Sequence, residues 1–298
     1  MNSVDDSGFS VDKRLLKSAF NSAAETYDKY AVLQKEVGAR LLERFDLVKV
    51  TPERILDIGS GTGRISRAMR QRYTDSHVVS LDLAVEMLRK ARSQTGWWQK
   101  WRKPTYWICA DAQRIPLRDD SMDIVVSNLT LQWCTDPEAT FRELRRVLKP
   151  NGLLMFSSLG PDTLKELRAC WREVDDYNHV NAFIDMHDVG DALIRAGFTT
   201  PVMDQENITL LFPDVMQLMR ELKAIGAHNI TAGRRRGLLG RRQLAALTAA
   251  YEKYRVDGKL PCTYEVVYGH AWAPAVKQTR DGETRIPLTK IQRRGMAP

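Results

Sequence analysis

The sequence is short of cysteine, and its four cysteines are scattered. Cys109, Cys134, Cys170 and Cys262 form no Cys-x-x-Cys pair, which removes zinc ribbons and dithiol redox motifs and makes a reducing cytosol the expected setting. His77, His179, His187, His228 and His270 show no metal-ligand spacing either. No apolar run approaches the roughly 18 residues of a spanning helix. The N-terminus is polar where a secretory signal would be apolar. No internal repeat is visible. With 298 residues, 43% hydrophobic and 28% charged, wholesale disorder, collagen and a disulfide scaffold are also excluded. One large domain or two small ones fit that length.

Charge is present but uneven. The chain carries 45 basic and 37 acidic side chains, a net of +8. Leu211 to Pro298 alone holds 16 basic and 7 acidic groups, a net of +9, so the first 210 residues are close to neutral. A surface near the C-terminus should therefore attract something acidic, whether nucleic acid, anionic lipid or an acidic protein.

Periodicity divides the chain further. Met1 to Val11 is polar and expected to fray, and Asp12 to Leu47 carries a helical pattern that reads as one or two lid-like helices. From Arg54 short apolar runs alternate with amphipathic helices. Ile55 to Ile58, Val78 to Leu83, Trp107 to Ala110, Ile124 to Ser127 and Leu153 to Ser157 read as buried strands. Helices are expected near Ile65 to Arg72, Ala84 to Arg92 and Pro137 to Leu148, and Lys149-Pro150-Asn151-Gly152 reads as a helix stop and turn before the fifth strand. This pattern predicts an α/β fold with a doubly wound, mostly parallel sheet. Further helices are expected at Asp162 to Asp175, Met186 to Ala196, Asp214 to Ala227 and Arg241 to Arg255. Strands at Thr200 to Phe212 and Thr263 to Trp272 should close the far edge of the sheet, with a helical cap around 213–258 inserted between them. The expected division is a lid at 12–50, a core at 51–159, the cap, and a basic flexible tail at 274–298.

The sharpest motif is Ile55-Leu56-Asp57-Ile58-Gly59-Ser60-Gly61-Thr62-Gly63, a strand running into a glycine turn that opens a helix. Glycines there permit positive φ and let a ligand touch the backbone. Asp82 ends the next strand, where a carboxylate can accept both hydroxyls of a ribose. Arg64 stands where the dinucleotide fingerprint needs its last glycine, and the P-loop Gly-Lys-Ser/Thr is absent. Asp111, followed by Ala112 at the third strand end, offers a carboxylate for an adenine amino group and an amide for a ring nitrogen; its plainer reading is an N-cap.

Gly59 to Gly63, Asp82, Asp111-Ala112 and Ile124 to Leu129 together resemble the successive motifs of class I S-adenosylmethionine-dependent methyltransferases, over about Arg54 to Leu159. The resemblance implies a seven-stranded Rossmann-like sheet and S-adenosyl-L-methionine as cofactor. It also implies a cofactor set of Asp57, Gly59, Gly61, Gly63, Asp82, Leu83, Asp111, Ala112 and Asn128. Ala19 to Ala31, Ser127 to Cys134 with its Leu-Gln-Trp, Leu222 to Ala227 and Leu260 to Tyr264 are similar to the malonyl-acyl carrier protein O-methyltransferase family of biotin synthesis. The implied reaction methylates the free carboxylate of malonyl-acyl carrier protein.

A malonyl carboxyl is already ionised at neutral pH, so no catalytic acid or base is expected. Tyr27 is the candidate lid residue, and Gln132 and Trp133 follow the fourth strand at the ligand-binding edge; packing is the competing reading for both aromatics. Arg220 and Lys223, at i and i+3 on one expected cap helix, are candidates to meet the substrate carboxylate, with His228 near the thioester. Solvated surface is the alternative for all three. Within this reading Arg234, Arg235, Arg236, Arg241 and Arg242 form a docking patch for an acidic acyl carrier protein. Trp97, Trp98 and Trp101 with Lys100, Arg102 and Lys103 leave open an RNA, membrane or hydrophobic partner. Methylation of a quinone precursor or RNA, and an assembly role on a retained fold, are the alternative functions.

Overall fold

The computed structural model describes residues 12–96, 105–227 and 240–275. The Trp97 to Lys103 cluster, His228, Arg234 to Arg236 and the tail beyond residue 275 lie outside the described residues.

A single seven-stranded sheet organises the described chain, in the order β3-β2-β1-β4-β5-β7-β6. Its strands are β1 (Arg54–Ile58), β2 (His77–Asp82), β3 (Tyr106–Cys109), β4 (Met122–Asn128), β5 (Leu148–Leu159), β6 (Thr199–Phe212) and β7 (Leu260–Trp272). β1 to β5 run parallel, while β7 pairs antiparallel with β5 and β6 antiparallel with β7. Because β1 lies between β2 and β4, the winding direction reverses there, and the carboxyl ends of β1 and β4 open a crevice for a ligand.

The central strands are buried on both faces. Ile55, Ile124 and Met155 point into one core, and their neighbours Leu56, Val125 and Leu154 into the other, as the two-residue period of a strand requires. The first face is covered by α3 (Val32–Glu43), α4 (Arg64–Arg72), α7 (Lys165–Arg172), α9 (Val215–Ala224) and α10 (Arg241–Glu252), and the second by α6 (Pro137–Val147) and α8 (Met186–Arg195). The remaining helices, α1 (Lys13–Ala23), α2 (Tyr27–Tyr30) and α5 (Val85–Ser93), meet at Ala23, Ala24, Ala84 and Met87 in a small cluster of their own. Local sequence sets the helix starts. Asp12 accepts the Arg14 and Leu15 amides at 2.9 and 3.2 Å, and Asp136, Asp185 and Asp214 cap α6, α8 and α9 in the same way.

Three features differ from the sequence reading. The chain does turn at Asn151, with φ +60°, but Lys149 to Gly152 lie within β5, where the register against β4 shifts between Met122 and Ile124. The turn residues form an irregularity in a longer strand because pairing resumes on both sides of it. Leu164 takes φ +58°, so α7 begins only at Lys165. Finally, Val37 and Leu41 of α3 are fully buried against the sheet, which makes α3 a core layer and leaves only α1 and α2 over the strand ends.

Candidate functional site

The glycine turn fits its surroundings tightly on one side and is open on the other. At Gly59 (φ +64°) a Cβ would lie 2.1 Å from Thr130 Oγ1, so no side chain is tolerated. A Cβ on Gly61 (φ +52°) would meet nothing within 4 Å, which leaves that backbone free to touch a ligand. Gly63 stands at the N-cap of α4 against Ala91 and does not line the cleft, contrary to its expected cofactor role: it packs α4 on α5. Asp57 does not line the cleft either. It is 1% exposed, accepts the Ser66 hydroxyl at 2.5 Å, and sits beneath the turn, where burial pushes its carboxyl up to about 7.

Above them lies a narrow cleft of about 90 Å³ bordered by Gly59, Gly61, Asp82, Leu83, Asp111, Ala112 and Asn128. Asp82 is held by the backbone: Gly61 N–H donates to Oδ2 and Ala84 N–H to Oδ1, each at 2.8 Å. Burial raises its carboxyl to about 6 against the pull of those amides. Asn128 donates to the Gln34 carbonyl at 3.1 Å and accepts the Ser157 hydroxyl at 2.8 Å, which ties α3 to the ends of β4 and β5. Asp111 is paired with Lys13 of α1 at 2.5 Å. Lys13 could not be found from sequence, because a lysine on an exposed helix carries no local signal of what it reaches.

Helices α1 and α2 are fastened to the turn and to α5 by polar contacts. Thr62 Oγ1 and Gln94 Nε2 both donate to Asp28, each at 2.6 Å, and Glu86 N–H donates to Asn21 at 3.0 Å. Tyr27 reaches the cofactor cleft, and burial pushes its phenol far above the usual range, with Asp82 and Asp28 adding to the effect. It stays a neutral donor at any physiological pH. Phe20 meets Trp133 edge to face at 5.7 Å.

Beyond this aromatic pair is a second chamber of about 200 Å³, reached by Phe20, Tyr27, Leu129 and Trp133 from the cleft side. Its walls are largely apolar, from α7, α9 and β7, with His179 stacked on Trp171 at 3.6 Å and held by Asp175 at 2.6 Å. Arg220 and Lys223 do not line it. The residues of α9 that do are Met219 and Leu222, joined by Ile225 just beyond the helix, and the two cations fall on the exposed face, Arg220 Nε donating to the Met216 carbonyl. Helical period placed them together correctly, but the apolar stripe decides which face turns inward. Gln132 lines the chamber, joined by Gln34, and each has a buried Oε1 without a hydrogen-bond partner. Arg241 and Arg242 open α10 as exposed residues. Among the described residues no cluster of His, Cys, Asp and Glu could hold a metal ion.

Residues 56–156 match the methyltransferase domain family. The chain is 54% identical to malonyl-[acyl-carrier protein] O-methyltransferase of Gallionella capsiferriformans, over 93% of this chain and 97% of that protein. It is 53% identical to the protein of the same name from Methylovorus sp., over 90% and 91%. The chain belongs to the malonyl-[acyl-carrier protein] O-methyltransferase family. Among solved structures it is similar in fold to YcgJ of Bacillus subtilis, with TM-score 0.57, 15% identity and 79% and 99% coverage. Phosphoethanolamine N-methyltransferase 2 of Haemonchus contortus, solved with S-adenosyl-L-methionine, aligns with TM-score 0.52 and 19% identity over 85% of this chain and 57% of that one.

The cofactor of this O-methyltransferase is S-adenosylmethionine. The cleft suits that molecule: Gly61 leaves its backbone open and Asp82 presents a carboxylate at the strand end. No helix among the described residues is long and apolar enough to cross a membrane.

Proposed function

We propose that the protein transfers the methyl group of S-adenosylmethionine to the free carboxylate of malonyl-acyl carrier protein, giving the methyl ester used in biotin synthesis. One observation carries this reading. Identity to the named relatives extends over nine-tenths of the chain, so it includes α7, α9 and β7, which wall the acceptor chamber, and does not stop with the cofactor core at 56–156.

S-adenosylmethionine supplies an electrophilic methyl group on a sulfonium. In this reading Gly59 and Gly61 hold the methionine end, Asp82 the ribose, and Asp111 and Ala112 the adenine, with Leu83 and Asn128 completing the walls. Asp57 and Gly63 support the turn from below. Lid helices α1 and α2 cover a core that ends near Leu159, and the segment between β6 and β7 forms the cap. The carboxylate is the nucleophile as it stands, so the chain need only align it and exclude water. Opposite charges cancel along the reaction, which an apolar chamber walled by Tyr27, Trp133 and Leu129 favours over water. Among the described residues that chamber brings no lysine or arginine to the nucleophile. A tight ion pair would stabilise the ground state more than the transition state.

Arg241 and Arg242, with Arg234 to Arg236, supply positive charge for an acidic carrier. All four cysteines are free, which supports a reducing cytosol. Incubation with labelled S-adenosylmethionine and malonyl-acyl carrier protein tests the reading: an esterase-sensitive label on the carrier is expected, and none at stoichiometric enzyme would sink it.

A further inference from the structure

A third cavity lies against the acceptor chamber. It measures about 520 Å³, within the range of about 300–1,000 Å³ common for small-molecule sites, and shares Gln132, Trp133, Asn181 and Phe183 with the chamber. Phe141, Phe156 and Val189 are buried within it, while Thr135, Asp136 and Asp188 are exposed. The cavity therefore runs from solvent to the chamber. Trp133 also borders the cofactor cleft, but Gln132 does not. Gln132 thus stands one step back from the methyl donor, where chamber and outer cavity join.

Its carboxamide is fixed. Nε2 donates to the Leu129 carbonyl at 2.8 Å, and turning the group over would set two carbonyl oxygens against each other. The buried edge left without a partner is accordingly the acceptor Oε1. An unpaired buried acceptor calls for a donor, and an ionised malonyl carboxylate has none to give. The first donor along a pantetheine thioester is the amide N–H two carbons beyond sulfur. That nitrogen is six bonds from the carboxylate carbon, about 7 Å along an extended chain, so it too stands back from the methyl donor.

We infer that the outer cavity is the channel for the pantetheine arm of the acceptor, with Gln132 Oε1 accepting from the arm's thioester-proximal amide N–H. This rests on the malonyl-thioester reading above. The bond changes are unaffected: the carboxylate oxygen bonds to the methyl carbon, the methyl–sulfur bond breaks, and its electron pair stays on sulfur. Gln132 is a positioning residue for the thioester end.

The test compares kcat/KM for malonyl-pantetheine and for the same thioester with that amide N–H replaced by an ester oxygen. The parent should prefer the amide by about tenfold or more, because a site built to receive an N–H rejects the analogue that lacks it. Gln132→Leu should lose activity on the amide compound and show a ratio near one, with cofactor affinity in calorimetry unchanged. An equal ratio in parent and variant would overturn the inference while leaving methyl transfer to malonyl thioesters intact. Asp188→Trp, at the exposed part of the cavity, should reduce turnover of malonyl-pantetheine at least tenfold. Asp176→Trp, in a neighbouring hollow that Gln132 and Asp188 do not line, should stay within twofold, and the reverse pattern would also overturn the channel. No transfer by the parent to any malonyl thioester would remove both this inference and the function it rests on.

Discussion

The cofactor cleft and the chamber beside it share a wall, yet they are built on different plans. In the cleft Asp82, Asp111 and Asn128 already have protein partners: Asp82 takes the Gly61 and Ala84 amides, Asp111 takes Lys13, and Asn128 bridges Ser157 and the Gln34 carbonyl. In the chamber the polar side chains Gln34 and Gln132 keep acceptor oxygens unpaired among apolar walls. The difference separates recognition by a pre-set backbone from recognition completed by the arriving molecule. The first is already in place in the protein alone. In the proposed function the second leaves the choice of acceptor to a few side chains.

Four substitutions would sharpen or break that contrast. The largest effect is expected for Gly59→Val, because a Cβ 2.1 Å from Thr130 and φ +64° are both prohibitive; cofactor binding in calorimetry should vanish and the melting temperature fall. Retained binding would mean that the turn is not rigid. Asp82→Ala should weaken the cofactor by about 1 to 3 kcal/mol, the scale of a charge-assisted hydrogen bond, without altering acceptor KM. Asp57 gives a pH signature. Its carboxyl rises from an ordinary 3.8 to about 7 in the fold, so the folded state binds the extra proton and stability declines as pH rises from about 4 to 7. Asp57→Asn should flatten that decline, worth about 5 °C in melting temperature, and an unchanged slope would place the titration elsewhere. The smallest effect belongs to Lys223→Ala, which should leave kcat/KM for the malonyl carrier within about twofold, as usual for an exposed lysine. A large loss would return this cation to the chamber.

The same contrast explains what could be read before the structure. Buried parallel strands announce themselves as apolar runs, and a glycine turn followed by an acidic strand end is a contiguous signal, so β1, β2, Gly59, Gly61 and Asp82 were legible. The start of β5 was not, because Asn151 and Gly152 carry the same chemistry in a strand irregularity as in a true turn. Asp57 and Gly63 belong to the glycine motif, but the motif does not distinguish residues that touch a ligand from residues that prop up the turn. The chamber was least legible. Gln34, Gln132, His179 and Leu222 come from four separate segments, and only packing brings them together. Arg220 and Lys223 show the limit from the other side: their spacing was right, and the stripe of Met219, Leu222 and Ile225 turned them outward.

The order of the last three strands bears on how the molecule is made. β6 is the edge strand and is hydrogen-bonded only to β7, which inserts between it and β5. During synthesis β6 emerges first and has no partner until residues 260–272 have followed it, whereas β1 to β5 can pair as they appear. The nascent chain would thus acquire its cofactor-binding half early, and the half that in the proposed function takes the acceptor would assemble only when β7 arrives. A ribosome stalled before Leu260 should display a chain able to capture the methyl donor and unable to use it.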